Sequence, residues 1–482
     1  MKYKKELLSL YSFRLPFSIT YMLQASEYKV DAYLKWLKRT HDFSAVQNRK
    51  KLDLTSKAKL TLAFLSVGML VELLAGLALA IYGLVTPGAL WAIEMGVAIT
   101  IAYPLIWPVL IILPLEFARV LVVEPSLAKQ VSKSSAIFAK HKAIKIAVAG
   151  SYGKTTMKEL LTTVLGEGKE VVSTLANKNV ASEHAKLASN LSGKEDIIIL
   201  EYGEGAPGDV ANFAKNTHPD YAIITGLAPA HLDRYKSLKD AGEDIFSVAD
   251  YLKGKNVYVN GESESIGGFL KKEYISYDQK GLANWQVRDI EVSIDGLSFS
   301  LSDGKQTLNL NSRLIGRHQV GPLALVAVLA IKLGLSKEQV VDGIAKTEPF
   351  EHRMQPYELN GAWIIDDTYN GNIDGIKAGT ELLKELDAKR KIYVTPGLVD
   401  QGKENVAVHE TLGKLIASAN PNIVVLMKNS VTKYIEDGLK QANFKGEVIL
   451  ISDPLSFYSS LDSFVANGDL VLMQNDWPDN YA

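Results

Sequence analysis

The stretch KIAVAGSYGKTTMKELLTTVL, Lys145 to Leu165, reads as three consecutive pieces. An apolar run to Ala149 suits a buried strand, a glycine-bounded turn follows, and Leu160, Leu161 and Val164 recur at the spacing of an amphipathic helix. In that order, Gly150, Ser151 and Gly153 let backbone N–H groups close around phosphate oxygens, and the helix N-terminus adds its partial positive charge. The two glycines stand closer than in the usual G-x-x-x-x-G-K-[ST] loop, but the Gly-Lys-Thr-Thr core is intact. Lys154 is expected to bridge terminal phosphates and Thr155 or Thr156 to hold Mg2+, which makes ATP with Mg2+ the expected ligand.

Two more apolar runs follow. DIIILEYGEG (Asp196 to Gly205) delivers Glu201 at its carboxyl end, and YAIITGLAPAHLDRY (Tyr221 to Tyr235) delivers His231 and Asp233 just past its own. In an open parallel sheet, ligands gather outside those ends, so Thr155, Glu201 and His231 form the expected metal set. From Trp363 onward, WIIDDTY, KIYVTPG, NIVVLM, EVILIS and DLVLMQ alternate with helical stretches, the pattern of a doubly wound sheet. A domain seam is expected near Lys346 to Phe350.

Composition limits the alternatives. With 482 residues, 47% hydrophobic, the chain supports two or three domains, and its formal net charge of -1 gives no basic field for nucleic acid. The absence of cysteine excludes disulfides, thiolate zinc sites, iron–sulfur clusters and a thiol nucleophile.

The charge is distributed unevenly. Met1 to Lys59 holds thirteen Lys/Arg against five Asp/Glu, whereas Leu60 to Ala118 holds no Lys or Arg and only Glu72, Glu94 and Glu116 as acids. Leu60 to Val85 and Ala89 to Leu115 each meet the roughly 20 residues needed to span a bilayer, with Thr86-Pro87-Gly88 as the turn between them. The basic flank and Arg119 place both ends in the cytoplasm, and Pro104, Pro108 and Pro114 are expected to kink the second helix. Glu72 reads either as a functional carboxylate or as a helix–helix hydrogen bond. Tyr21 to Lys38 reads as an amphipathic helix on the inner membrane surface.

Several separated motifs occur in one order: GSYGKTT, NKN at Asn177 to Asn179, the strand-borne Glu201, PAHLD, GRHQ at Gly316 to Gln319, and EHRMQPYELNGAWIIDDTYNGN from Glu351. This order resembles the Mur ligase family, most nearly its UDP-N-acetylmuramoyl-tripeptide:D-alanyl-D-alanine ligase branch, from about Ile144 to the C-terminus. The resemblance implies an ATP-dependent amide ligase in which a substrate carboxylate takes the γ-phosphate as an acyl phosphate and an amine displaces it. It implies Lys154, Thr155 and Gln319 on the nucleotide, Glu201 and His231 on metal, Arg353 on the γ-phosphate and Asp367 on the ribose. Tyr369, Asn370 and Asn372 fall in the same matched stretch.

The expected fold is α/β: a basic amphipathic segment (1–58), a transmembrane hairpin (59–118), a linker helix (119–143), a P-loop ATPase domain with a mostly parallel sheet (144–346) and a Rossmann-like domain (347–482). The expected partners are a peptidoglycan precursor, a D-amino-acid dipeptide or similar amine, membrane lipid and a partner protein for substrate recognition. The expected location is the cytoplasmic membrane, with the catalytic domains in the cytoplasm.

The chain departs from the family in four places. The hairpin stands where a uridine-binding domain is usual. The lysine that relatives carbamylate is missing: its position counts to Ile245, and Glu243 or Asp244 is expected to supply the carboxylate directly. GxHNxxN reads GRHQVGP, and the C-terminal KGS-like stretch reads MQNDWPDNYA. Two alternatives therefore stand beside the cell-wall ligase: a related ligase for a lipid-linked or other acceptor, and an ATP-binding scaffold without ligase activity.

Overall fold

The computed structural model describes residues 11–12, 14–40, 52–175, 178–228, 235, 237–369, 371–398, 401 and 404–475. The chain divides into two compact units, residues 1–128 and 129–481.

In the first unit, helices Ser56–Val85 and Leu90–Leu110 form an antiparallel pair. The first helix and the helical run that begins at Leu90 are each long and apolar enough to cross a membrane. Their backbones meet at small residues: a Cβ on Gly76 would stand 2.8 Å from the Gly96 carbonyl oxygen, and one on Gly96 2.4 Å from that of Gly76. Such close approach is how apolar helices associate where water provides no drive. Leu60, Leu70, Leu74, Leu77, Leu84 and Leu105 stay exposed on the outer faces. The Trp107 indole N–H donates to the Glu72 carboxylate, so the hairpin uses Glu72 as a helix–helix hydrogen bond. Pro104 and Pro108 lie inside the second helix, and the α pattern breaks at Ile111 before Ile112–Ala118, which holds Pro114.

The segment Tyr21 to Lys38 departs from the expected single surface helix. Helices Leu15–Ala25 and Val30–Arg39 are separated by Glu27 and Tyr28, at φ 52 and 58. Leu15, Ile19, Met22, Leu23 and Tyr33 are buried against Leu65, Met69, Trp107 and Ile111, and the Tyr33 hydroxyl donates to the Pro108 carbonyl at 2.7 Å. Of the apolar side chains that suggested a membrane-facing stripe, Met22, Leu23 and Tyr33 are covered by the hairpin, while Val30, Leu34, Trp36 and Leu37 stay half-buried.

The second unit carries two sheets. The strands of the first are β1 (Ile144–Ala149), β2 (Val171–Ser173), β3 (Ile197–Glu201), β4 (Tyr221–Ile224), β5 (Val257–Asn260), β6 (Ile275–Asp278), β7 (Gly281–Leu282), β8 (Trp285–Ser293), β9 (Gly296–Ser302) and β10 (Thr307–Ser312). Their spatial order is β2-β3-β1-β4-β5-β6-β7-β8-β9-β10. Pairing is parallel from β2 to β6 and antiparallel from β6 to β10. The sheet is therefore mixed, which corrects the expectation of a mostly parallel one. The antiparallel wing was hard to read because its strands are half solvated and serine-rich. β10 alternates exposed and buried residues, with Leu308 and Leu310 inward, the pattern of a one-sided antiparallel sheet.

The chain enters the second sheet through β11 (Gln355–Leu359), then β12 (Ala362–Asp367), β13 (Arg390–Thr395), β14 (Ile423–Met427), β15 (Glu447–Ile451) and β16 (Asp469–Gln474). Their order is β11-β12-β16-β13-β14-β15, all parallel except the β11/β12 edge. The last strand inserts between β12 and β13, and helices such as Ile373–Glu385 and Asn405–Ala419 bury Ile376, Leu383, Leu412 and Ile416 with Ile365 and Leu472 of the sheet.

Candidate functional site

β1 lies between β3 and β4, so the strand order reverses at its carboxyl end, where an open α/β sheet leaves a crevice. The Gly150–Gly153 turn occupies that crevice, and the helix Lys154–Leu165 starts from it. Gly153 holds φ 72, a left-handed value, and Gly150 holds φ 142. A Cβ on Gly150 would meet the Thr225 hydroxyl at 2.4 Å. At Gly150 that cradle closes only around a residue without a side chain. The Ser151 N–H is tied to the Gly226 carbonyl at 2.9 Å, while the Thr225 hydroxyl donates to the Tyr152 carbonyl.

Glu201 ends β3, 1% exposed, and the loop helix faces it. The Thr155 hydroxyl and the Asn179 amide both donate to its Oε1 at 3.2 Å. Its Oε2 accepts no hydrogen bond, although the Lys158 ammonium lies 3.5 Å away. A buried carboxylate oxygen in that condition, beside a threonine hydroxyl, suits a hard cation such as Mg2+. His184 Nε2 pairs with the Glu201 carbonyl at 2.8 Å, and burial pushes that ring down to about 4, so it remains neutral. Among the described residues no three His, Asp or Glu side chains come together as a metal cluster. His231 and Asp233, like Asn177 and Asn370, lie outside the described residues.

Two residues here were not singled out from the sequence. Lys158 is fully buried in the loop helix and donates to the Thr174 carbonyl at 2.8 Å. Glu204, inside the quoted EYGEG, accepts from Lys154 Nζ at 2.7 Å. The signal for Glu204 was its position three residues beyond Glu201, on the same returning loop. Thr156 lies half-buried in the first turn of the helix.

The stretch around Glu351 supplies the second side. Arg353 sits between His352 and Met354, both left-handed at φ 60 and 47, and its guanidinium lies 4.4 Å from the Tyr369 ring centroid. Unfavourable backbone of this kind persists only where surrounding contacts enforce it. One such contact joins His352 Nδ1 to Asp366 Oδ2 at 2.8 Å. Asp367, ending β12, accepts from the Met354 N–H at 3.2 Å and from Gln474 Nε2 at 2.8 Å. Burial pushes its carboxyl up to about 7. Asn372 caps the next helix by accepting from the Gly375 N–H at 3.0 Å.

Gln319 Nε2 lies 2.9 Å from His318 Nε2, and His318 Nδ1 is buried without a partner. Burial holds His318 down to about 4, so it is neutral and offers a hydrogen-bonding edge rather than a charge. Pro322 falls in the first turn of the helix Val320–Lys332, where a missing N–H costs least. GRHQ reaches the C-terminal half through Arg317, 2.7 Å from Glu385.

Glu243 and Asp244 do not stand alike. Glu243 is exposed, 3.7 Å from Lys239 on its own helix. Asp244 is buried, and its oxygens accept from the Tyr235 hydroxyl at 2.8 Å and the Gly208 N–H at 3.0 Å. Desolvation raises its carboxyl above the usual range.

Residues 148–330 match the Mur ligase middle domain. The chain carries a Mur ligase middle domain and is similar to Mur ligases. It is 27% identical over 289 residues to the UDP-N-acetylmuramoyl-tripeptide--D-alanyl-D-alanine ligase of Buchnera aphidicola subsp. Baizongia pistaciae, covering 58% of this chain and 62% of that one. It is 25% identical over 284 residues to the enzyme of the same name from Escherichia coli K12, with 57% and 62% covered. The chain thus spans less than two thirds of the length of these relatives. In fold it is similar to the MurF ligase of Thermotoga maritima in complex with ADP, with a TM-score of 0.64, 20% identity and 73% of this chain and 81% of that one covered. This Mur ligase fold holds the phosphate loop, Glu201, Gln319, Arg353 and Asp367 on elements of one compact unit.

Proposed function

We propose that the chain is an ATP-dependent amide ligase of peptidoglycan precursor synthesis, adding D-alanyl-D-alanine or a similar amine to a muramoyl peptide. The observation that carries this reading is the phosphate loop at the switch point, with Thr155 bonded to the buried Glu201. Lys154 and Arg353 neutralise phosphate charge, Thr155 and Glu201 hold Mg2+ together with His231, and Gln319 and Asp367 contact the nucleoside. Phosphoryl transfer asks a protein mainly for positioning and charge neutralisation, which these residues supply. The peptide carboxylate attacks the γ-phosphorus and releases ADP. The amine then attacks the acyl carbon, loses a proton and expels inorganic phosphate, leaving an amide.

The first unit favours a membrane-held form of this activity, with both ends of the hairpin on the cytoplasmic side and lipid against its outer leucines. It also supports a second reading, in which the acceptor is lipid-linked and a partner protein aids its recognition. Glu243 or Asp244 remains our candidate for the carboxylate that relatives obtain from a modified lysine. Asp244, buried near the loop that follows β3, is the better placed of the two.

The test is phosphate release by the detergent-solubilised chain with ATP and Mg2+, offering either UDP-muramoyl-tripeptide plus D-alanyl-D-alanine or a lipid-linked precursor, with products weighed by mass spectrometry. A new amide on the uridine-linked substrate supports the first reading, and turnover only on the lipid-linked one supports the second. ATP binding without any product would overturn both in favour of a scaffold.

A further inference from the structure

The loop after β3 returns a second carboxylate to the phosphate loop. Glu204 is 6% exposed, and its Oε2 meets Lys154 Nζ at 2.7 Å, with side-chain exposures of 11% for the lysine and 5% for the glutamate. The same ammonium donates to the Gly150 carbonyl. Three residues earlier Glu201 meets Thr155, and its Oε2 is buried without a hydrogen bond. The nearby Tyr235 hydroxyl is taken by Asp244, so it brings no donor to Glu204.

The lysine that phosphate needs already has a buried counterion, and a second acidic group stands beside it. An incoming di- or triphosphate brings further negative charge into a poorly screened place. Resting on the nucleotide reading above, we propose that Glu204 makes nucleotide binding conditional on a divalent cation. In the free loop Glu204 neutralises Lys154, and it yields the lysine to phosphate only when a cation supplies the missing positive charge. The chain would then hold Mg-nucleotide but reject the metal-free nucleotide and other bare polyanions.

The experiment is titration of the full-length, detergent-solubilised chain with ADP by calorimetry, in excess Mg2+ and in EDTA at matched ionic strength. For Glu204→Gln, which keeps the side-chain shape and an acceptor for Lys154, metal-free affinity should rise about tenfold and Mg-ADP affinity change less than about threefold. Glu204→Asp retains the charge and should keep most of the wild-type metal dependence, which also controls for folding. An unchanged metal-free affinity in Glu204→Gln would overturn the proposal. So would an equal fall in both affinities, the mark of a residue that only shapes the loop. If the wild type binds ADP in neither buffer, the nucleotide reading itself fails and this inference with it.

Discussion

The hydroxyl of Tyr152, inside the phosphate loop, faces the carboxylate of Asp374, the second residue of the helix that follows β12, and interacts with it. The Tyr152 ring lies against Gly226, where a Cβ would come within 2.2 Å of it, and Ser263 shares the hydroxyl. The turn that would cradle phosphate therefore touches the C-terminal sheet's first helix directly. Tyr152→Phe keeps the ring and leaves the half-buried Asp374 without that partner. It should cost about 1–3 kcal/mol in urea unfolding. Asp374→Asn combined with it should recover part of the loss, which a double-mutant cycle reads.

The two loop glycines should differ in severity. Gly153→Ala places a Cβ in ordinary van der Waals contact with Thr225, at 3.5 Å, but at a left-handed φ, and should cost about 1 kcal/mol. Gly150→Ala drives a Cβ into Thr225 and the Gly226 backbone, so the loop itself must move. ADP titration should show nucleotide binding largely retained by the first variant and lost by the second.

Arg353 stacks on Tyr369 while its backbone is held by left-handed neighbours. Lysine keeps the charge but not the planar, stacked guanidinium. Arg353→Lys should lower ligase kcat by about 10²-fold with little change in ATP KM, and Tyr369→Leu should lower it less.

Asp367 predicts a pH dependence. Its carboxyl is pushed up to about 7 by burial, above its ordinary value of 3.8. The folded state therefore binds the proton more tightly than the unfolded chain. The associated stability is fully present below about pH 4 and is lost as pH rises to about 7. Asp367→Asn removes the titration, so its stability relative to wild type should improve by roughly 4 kcal/mol between pH 4 and pH 8. Chemical denaturation at the two pH values measures this directly.

The Trp107–Glu72 bond should contribute modestly to the hairpin. Interhelical hydrogen bonds in apolar surroundings contribute about 0.6 kcal/mol on average and at most about 2. Trp107→Phe should destabilise the hairpin by that amount in detergent unfolding and leave ATP turnover unchanged.

Elements set by local pattern were legible. The strand-turn-helix at Lys145 to Leu165 was, because apolar periodicity and two glycines suffice to define it. So were the apolar hairpin and the alternation after Trp363. Each follows from neighbours a few residues apart. Three features depended on distant parts of the chain. The stripe between Tyr21 and Lys38 has the spacing of a membrane-facing helix, but the hairpin covers Met22, Leu23 and Tyr33 of it, and only packing decides that. β16 enters between β12 and β13, a choice among parallel neighbours that hydrophobic runs do not encode. Glu204 and Lys154 lie 2.7 Å apart because β1 and β3 are paired in register, Val148 opposite Glu201. Local sequence determined which groups the phosphate loop contains; tertiary pairing decided which counterion its lysine holds, because charge meets charge through space and not along the chain.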